Sequence, residues 1–369
     1  MDGIAVARQD ESRALTGLRG VGAVLVMLHH FHQHLALDLH FPMLGGVLRK
    51  GYLGVDLFFV LSGFVMAMVY GPWFAGGQPG RGRAYCVFLL RRAARLWPLH
   101  AVVIGLIVAY SMYDGNQVSV RWVMANLALV QGWGFSSEIN PPAWSISTEV
   151  LAYLLFPLLA PALLRWRWGV VLGLLGAAAA IALCMHLAPP VGLVRRGRLD
   201  IYFNYSLLPL LRCFAGVLVG MAAWRLGRTG LVQRVAAMPW TGPLAVAAMI
   251  GLMVGRVNDL LIYLLLPVIV LGLHYGRGPG WALFARGPVY RLGVLSYAIY
   301  LVHVALLSRF SFDWAPMGVE LSVYLLEVAL AATVAHWLIE RPGRHLLRSW
   351  GEAILARTWG RPLLQRGPG

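Results

Sequence analysis

Long apolar runs alternate with short basic clusters along this chain. The runs fall near residues 18–37, 53–73, 96–113, 144–164, 168–187, 204–224, 240–255, 259–275, 291–310 and 319–339. Each is long enough, or nearly so, to cross a hydrocarbon layer that takes about 20 helical residues. Only helices and closed barrels satisfy their backbone in lipid, and the run lengths predict an all-α integral membrane protein: a single bundle of about ten transmembrane helices. The stretch Arg121–Trp133, RWVMANLALVQGW, departs from the pattern, because it is short and carries Asn126 and Gln131. It reads as a re-entrant or interfacial segment.

Basic residues orient the bundle. With that segment kept on the outer side, 22 of the 31 Lys and Arg share the side of the N-terminus, 8 face the other, and Arg212 lies within a span. A full crossing by the segment gives the outer side the majority. The positive-inside rule therefore predicts both termini in the cytoplasm. Beyond Pro342, Leu346, Leu347, Trp350, Ile354 and Leu355 share one helical face. This predicts a basic amphipathic tail, 343–369, lying on the cytoplasmic leaflet beside a transmembrane domain of residues 1–342.

Composition agrees. The 369 residues are 59% hydrophobic and 12% charged, beyond the range of ordinary soluble domains. The formal charge of +16 sits in loop clusters, a pattern that sets topology and attracts anionic lipid rather than nucleic acid. No small-residue cleavage site follows the first apolar run, so the N-terminus reads as uncleaved. Cys86, Cys184 and Cys213 are isolated from one another and carry no metal or redox pattern.

Candidate chemistry starts in the first span. Arg19 stands at its start and His30 eleven residues on, about 16 Å along the axis and past the middle of a layer about 30 Å thick. Ionisable groups at such depth usually face a cavity or a partner. In the second span, Asp56 falls in the same outer half, either as an interfacial acid on a closely packed helix or as the group that orients His30. Trp144, Ser147 and Glu149 open the fourth span, where Ser145, Ser147 or Thr148 suits a helix cap. Yet Glu149 shares the level of His30 and Asp56, and one polar cavity accounts for all three. Arg91, Arg92 and Arg95 form an RRxxR cluster that serves topology or, through guanidinium forks, phosphate binding. Ser296, Tyr300 and His303 recur on the ninth span, where a lone histidine is more often a packing residue. His29, His30, His32 and His34 offer one i,i+4 pair, short of the three or four ligands zinc requires, so no metal is expected.

Taken together, the Arg19 and His30 spacing, GYLGVDLFFVLSGF, Arg91-Arg92-x-x-Arg95, WSISTE, LSYAIYLVH and Glu340-Arg341-Pro342 resemble the signatures of the membrane-bound acyltransferase-3 family, in the family's order. That family includes O-antigen acetylases and exopolysaccharide and macrolide acylases. The resemblance implies transfer of an acyl group, commonly acetyl or succinyl, from acyl-coenzyme A as co-substrate to a hydroxyl. The acceptor implied is a glycan or lipid-linked sugar, and the place a bacterial-type inner membrane. With that resemblance, the residues point to His30, Arg19, Asp56 and Glu149 as the catalytic set, Arg19 either binding the donor or balancing charge at the cavity entrance, and to Arg91, Arg92 and Arg95 for the donor. Ser147, Tyr300, His303 and Trp144 become cavity or oxyanion candidates. The extra His29, His32 and His34 have no counterpart in the pattern. No appended hydrolase-like domain is expected, so relay to a distant acceptor would need a partner. The competing expectation is a proton-coupled transporter or flippase, since intramembrane His, Asp, Glu and Arg also build proton relays.

Overall fold

A computed structural model describes residues 2–35, 42–76, 80–187, 197–200, 205–307 and 316–359. The ends of the first, sixth and ninth expected spans and tail residues 360–369 lie outside the described residues. Fifteen α-helices follow in chain order: α1 (Asp2–Leu35), α2 (Pro42–Lys50), α3 (Leu53–Ala75), α4 (Arg81–Tyr113), α5 (Val120–Leu127), α6 (Ala143–Leu164), α7 (Gly169–Leu187), α8 (Leu208–Gly227), α9 (Gly230–Ala237), α10 (Thr241–Val254), α11 (Asp259–Tyr275), α12 (Pro279–Ala285), α13 (Gly287–Leu307), α14 (Met317–Ala335) and α15 (Arg341–Trp359). Among the described residues, eight helices are long and apolar enough to cross a bilayer. The pairs α9 with α10, bent by 74°, and α11 with α12, bent by 93°, bring the number to as many as ten. The all-α membrane bundle expected from the sequence is therefore the architecture found.

Small residues set how the spans meet. A Cβ on Gly20 of α1 would stand 2.4 Å from the backbone nitrogen of Gly293 on α13, and one on Gly293 would stand 2.0 Å from the carbonyl oxygen of Thr16. The two backbones touch, which only glycine allows. Ten residues further along each helix, His30 meets His303, so α1 and α13 run parallel and in register. α3 and α8 are likewise parallel: Gly216 abuts Phe59 and Gly220 abuts Val60 and Phe64.

Helix directions place both ends of the re-entrant or interfacial segment on the same side. Phe59 packs edge-on to Trp144, and Phe74 packs on Phe156, so α3 and α6 are parallel. With α4 crossing between them, the segment at 120–133 enters and returns on one side. Its irregular backbone is satisfied from within the protein, as depth in lipid requires. The carbonyl of Asn126 accepts His100 Nε2 at 2.8 Å and that of Leu127 accepts Trp97 Nε1 at 3.1 Å. The buried Asn126 side chain donates to the carbonyls of Trp122 and Ser137 and accepts from the Ile139 amide.

The tail differs from expectation. α14 passes through a π-helical turn at His336–Glu340 into α15, so that one helix of 42 residues runs from Met317 to Thr358. At about 1.5 Å per residue this is roughly twice the hydrocarbon thickness. Its second half lies antiparallel along α4, with Gly343 against Pro98 and Gly351 against Leu90. The expected apolar residues Leu346, Trp350 and Ile354 are exposed. A reading of the apolar face alone missed the glycines that dock on α4.

Replacing Gly20 with Val forces the α1 and α13 backbones apart, an overpacking that costs about 1–3 kcal/mol. Gly105→Ala, where an added Cβ meets nothing within 4 Å, leaves stability unchanged or slightly raised. Thermal unfolding of the two purified variants checks this; equal midpoints would mean that the α1 and α13 contact does not govern stability.

Candidate active site

The sequence places seven arginines where α1, α4, α13 and the α14–α15 helix converge. Arg19, Arg91, Arg92, Arg95, Arg341, Arg344 and Arg348 line one basin of about 770 Å³, within the ~300–1,000 Å³ range of small-molecule sites. Among the described residues the lining holds one carboxylate, Glu340, which is engaged by His336 at 2.9 Å. Such an excess of guanidinium forks suits phosphate groups.

The basin narrows into a throat of about 80 Å³, and Arg19, Arg92, Arg95, Ser296 and Tyr297 line both spaces. Glu149 and Tyr153 stand in the throat wall beside those arginines. Arg92 donates to the Tyr70 hydroxyl at 3.0 Å and lies 5.0 Å above that ring. At its deep end the throat meets Ser145, Phe58 and Tyr300. The Tyr300 and Ser145 hydroxyls are 2.7 Å apart, and Tyr300 donates to the Pro142 carbonyl at 3.1 Å.

His303 follows Tyr300 by one helical turn, with ring centroids 5.9 Å apart, and carries the line on to His30. Its Nε2 is 3.1 Å from Nδ1 of His30, while its own Nδ1 faces the Ile299 carbonyl at 3.2 Å. A carbonyl only accepts, so neutral His303 carries its proton on Nδ1 and accepts through Nε2. His30 then carries its proton on Nδ1, between His303 and the Val26 carbonyl at 3.0 Å. That tautomer makes Nε2 the basic nitrogen of His30. The ring is half-buried, and it stands beyond Tyr300 rather than in the throat wall.

Asp56 is placed elsewhere. It is fully buried and takes a two-pronged ion pair from Arg212, at 2.9 and 2.6 Å. The side chain that meets His30 is thus His303, where Asp56 was expected. A second buried ion pair joins Lys50 to Asp259, whose other oxygen accepts Tyr52 at 2.8 Å. Ser147 pins the half-inserted segment, donating to the Leu129 carbonyl at 2.8 Å and accepting the Gly132 amide at 3.0 Å. It is not a cap, since α6 begins after Pro142 with no side-chain cap. Trp144 packs beneath Arg212 at 5.6 Å. His29 is also structural, tied to the Leu48 carbonyl at 2.8 Å. Arg91 is held by Glu352 at 3.0 Å on α15.

Several lining residues escaped the sequence reading. Tyr153 and Tyr70 carried no spacing signal. Arg341, Arg344 and Arg348 recur at intervals of three and four, one face of a helix, and that period was the available clue.

A model of the acyltransferase-3 family, described as an acyltransferase domain, matches residues 12–339. The acyltransferase MdmB of Streptomyces mycarofaciens is 27% identical, over 90% of this chain and 92% of its own. The putative membrane-bound transacylase BcsY of Komagataeibacter xylinus is 25% identical, over 91% and 83%. The exopolysaccharide production protein ExoZ of Rhizobium meliloti is 27% identical, over 79% and 89%. No solved structure matches the chain. The bundle, the polar cavity within it and a family match over most of the chain agree, and the protein belongs to the acyltransferase-3 family as a multi-pass membrane O-acyltransferase.

Proposed function

We propose that this O-acyltransferase takes an acetyl or succinyl group from acyl-coenzyme A and passes it to a hydroxyl of a glycan or lipid-linked sugar. The observation that carries the donor reading is the arginine basin opening through a slim throat toward Tyr300, with the His30 and His303 pair behind it. Arginine forks hold the nucleotide phosphates, and a throat of about 80 Å³ admits a narrow pantetheine arm rather than a sugar. For the acceptor, the support is chemical kinship: relatives include the exopolysaccharide production protein ExoZ and the peptidoglycan O-acetyltransferase OatA of Listeria monocytogenes, 26% identical over 42% of this chain. In this reading the basin faces the cytoplasm, in line with the bias of basic residues.

The residues divide the reaction between them. The thioester arrives at Tyr300 from the basin, and the acceptor reaches His30 from the other end of α1, where Gln33 and His34 are exposed. Rotation of the Phe58 and Tyr300 rings, which touch edge to face at 5.6 Å, joins the two sides. The acceptor oxygen then bonds to the carbonyl carbon as its proton passes to Nε2 of His30. Tyr300 supplies a hydrogen bond to the developing oxyanion. Return of the oxyanion's electron pair breaks the carbon–sulfur bond, and the proton leaves on the coenzyme A sulfur. His303 is a positioning residue, which fixes the His30 tautomer. Glu149 balances the charge of Arg19, Arg92 and Arg95 in the throat.

In membranes supplied with labelled acetyl-coenzyme A, His30→Ala abolishes transfer while the protein still accumulates; normal activity in that variant removes His30 from the chemistry. His303→Ala lowers kcat by about 10²-fold or more and leaves the donor KM near its original value. A rise in KM alone would make His303 a packing residue. Arg95→Gln raises the donor KM by about tenfold or more, and an unchanged donor dependence would return that arginine to topology.

A further inference from the structure

The family match ends at residue 339, yet α15 beyond it turns Arg344 and Arg348 into the basin. Beside that wall two guanidinium groups, of Arg91 and Arg348, converge on a single oxygen. Oε1 of Glu352 accepts Arg91 Nε at 3.1 Å, Arg91 Nη2 at 3.0 Å and Arg348 Nε at 3.1 Å. Three charge-assisted bonds from two forks are the surroundings a phosphate oxygen takes up. Here a carboxylate of the chain itself fills the place. It sits at a rim open to ligand, since the Glu352 side chain is 28% exposed and that of Arg348 54%.

Position along the basin narrows the choice of ligand. Arg19, Arg92 and Arg95 line both throat and basin, whereas Arg91 and Arg348 line the basin only. Two groups of cations, one shared with the throat and one lining the basin alone, match an anion with two separated phosphate groups and a neutral arm leading inward. Acyl-coenzyme A has that form: a diphosphate on the pantetheine side and a phosphate monoester on the ribose 3′ position, remote from the thioester. We propose that Arg91 and Arg348 bind the ribose 3′-phosphate of the donor, with Glu352 holding their place until it arrives. The inference rests on the coenzyme A reading above and adds to Arg91 two residues beyond the family match, Arg348 and Glu352. Glu352 then competes with the donor, and removing its charge strengthens donor binding.

Binding of coenzyme A and of 3′-dephospho-coenzyme A to the full chain in lipid nanodiscs tests this. The unaltered protein binds coenzyme A about tenfold or more tightly than the dephospho form. Arg348→Ala brings the two affinities together by weakening coenzyme A alone. Glu352→Gln tightens coenzyme A several-fold and leaves the dephospho form unchanged. Equal affinities in the unaltered protein overturn the proposal, as does Arg348→Ala weakening both ligands alike. Equal weakening of both by Glu352→Gln also overturns it, because Glu352 would then be only a clasp between α15 and α4. If neither nucleotide binds, the donor reading itself fails and takes this inference with it, a result distinct from equal binding of both.

Discussion

The contact between the backbones of Gly20 and Gly293 fixes what every other group in the site can reach. Parallel helices in van der Waals contact cannot slide by a fraction of a turn without driving backbone atoms together. From that contact, ten residues of identical rise bring His30 beside His303. The same register sets Arg19 of α1 opposite Ser296 and Tyr297 of α13 across the throat. A slip by one turn, about 5.4 Å, would separate the histidines and close the throat against a different set of side chains. Stability and site geometry therefore depend on the same two glycines.

Buried charge is divided between holding the bundle and serving the cavity. Asp56 with Arg212 joins α3 to α8, and Lys50 with Asp259 joins α2 to α11. Each pair removes two ions from water, a cost that mutual attraction offsets only with good geometry and further hydrogen bonds. Both have them: Arg212 also donates to the Tyr52 carbonyl at 3.1 Å, and Asp259 also accepts from the Leu199 amide at 2.8 Å. With Asp56 and Asp259 spent in this way, Glu149 is the carboxylate of the throat. The histidine pair works with a neutral partner, since His303 accepts through a lone pair and brings no second charge into an apolar interior.

The spans and the return of the 120–133 segment to one side of the bundle were legible in the sequence, because hydropathy and residue rise report position along a helix axis. Rotation about that axis is not written in one chain. Asp56 faces Arg212, a partner 156 residues away that had entered only as a count of charge. Ser147 was read from a capping pattern, whereas its hydroxyl meets backbone atoms of a segment whose return path no periodicity encodes. The tail shows the same limit from the opposite side. Its apolar stripe was visible, but docking on α4 depends on Gly343 and Gly351 meeting Pro98 and Leu90, and an absent side chain gives no hydropathy signal.

The rings of Phe58 and Tyr300 give the proposed reaction its order. A thioester held beside water hydrolyses, and exclusion of water protects reactive groups until the proper partner is in place. The throat is narrow, and its deep end is closed by one edge-to-face aromatic contact and one hydroxyl pair. Such a closure is weak beside the core packing around it, since an aromatic pair contributes about 0.5–1.5 kcal/mol beyond burial and a neutral hydrogen bond about as much. In the proposed reaction, donor phosphates held by the basin arginines supply the binding energy that opens it. Under that proposal, phosphate recognition far from the reacting carbon thus governs when donor and acceptor meet, as remote contacts raise the rate of a chemical step they do not touch.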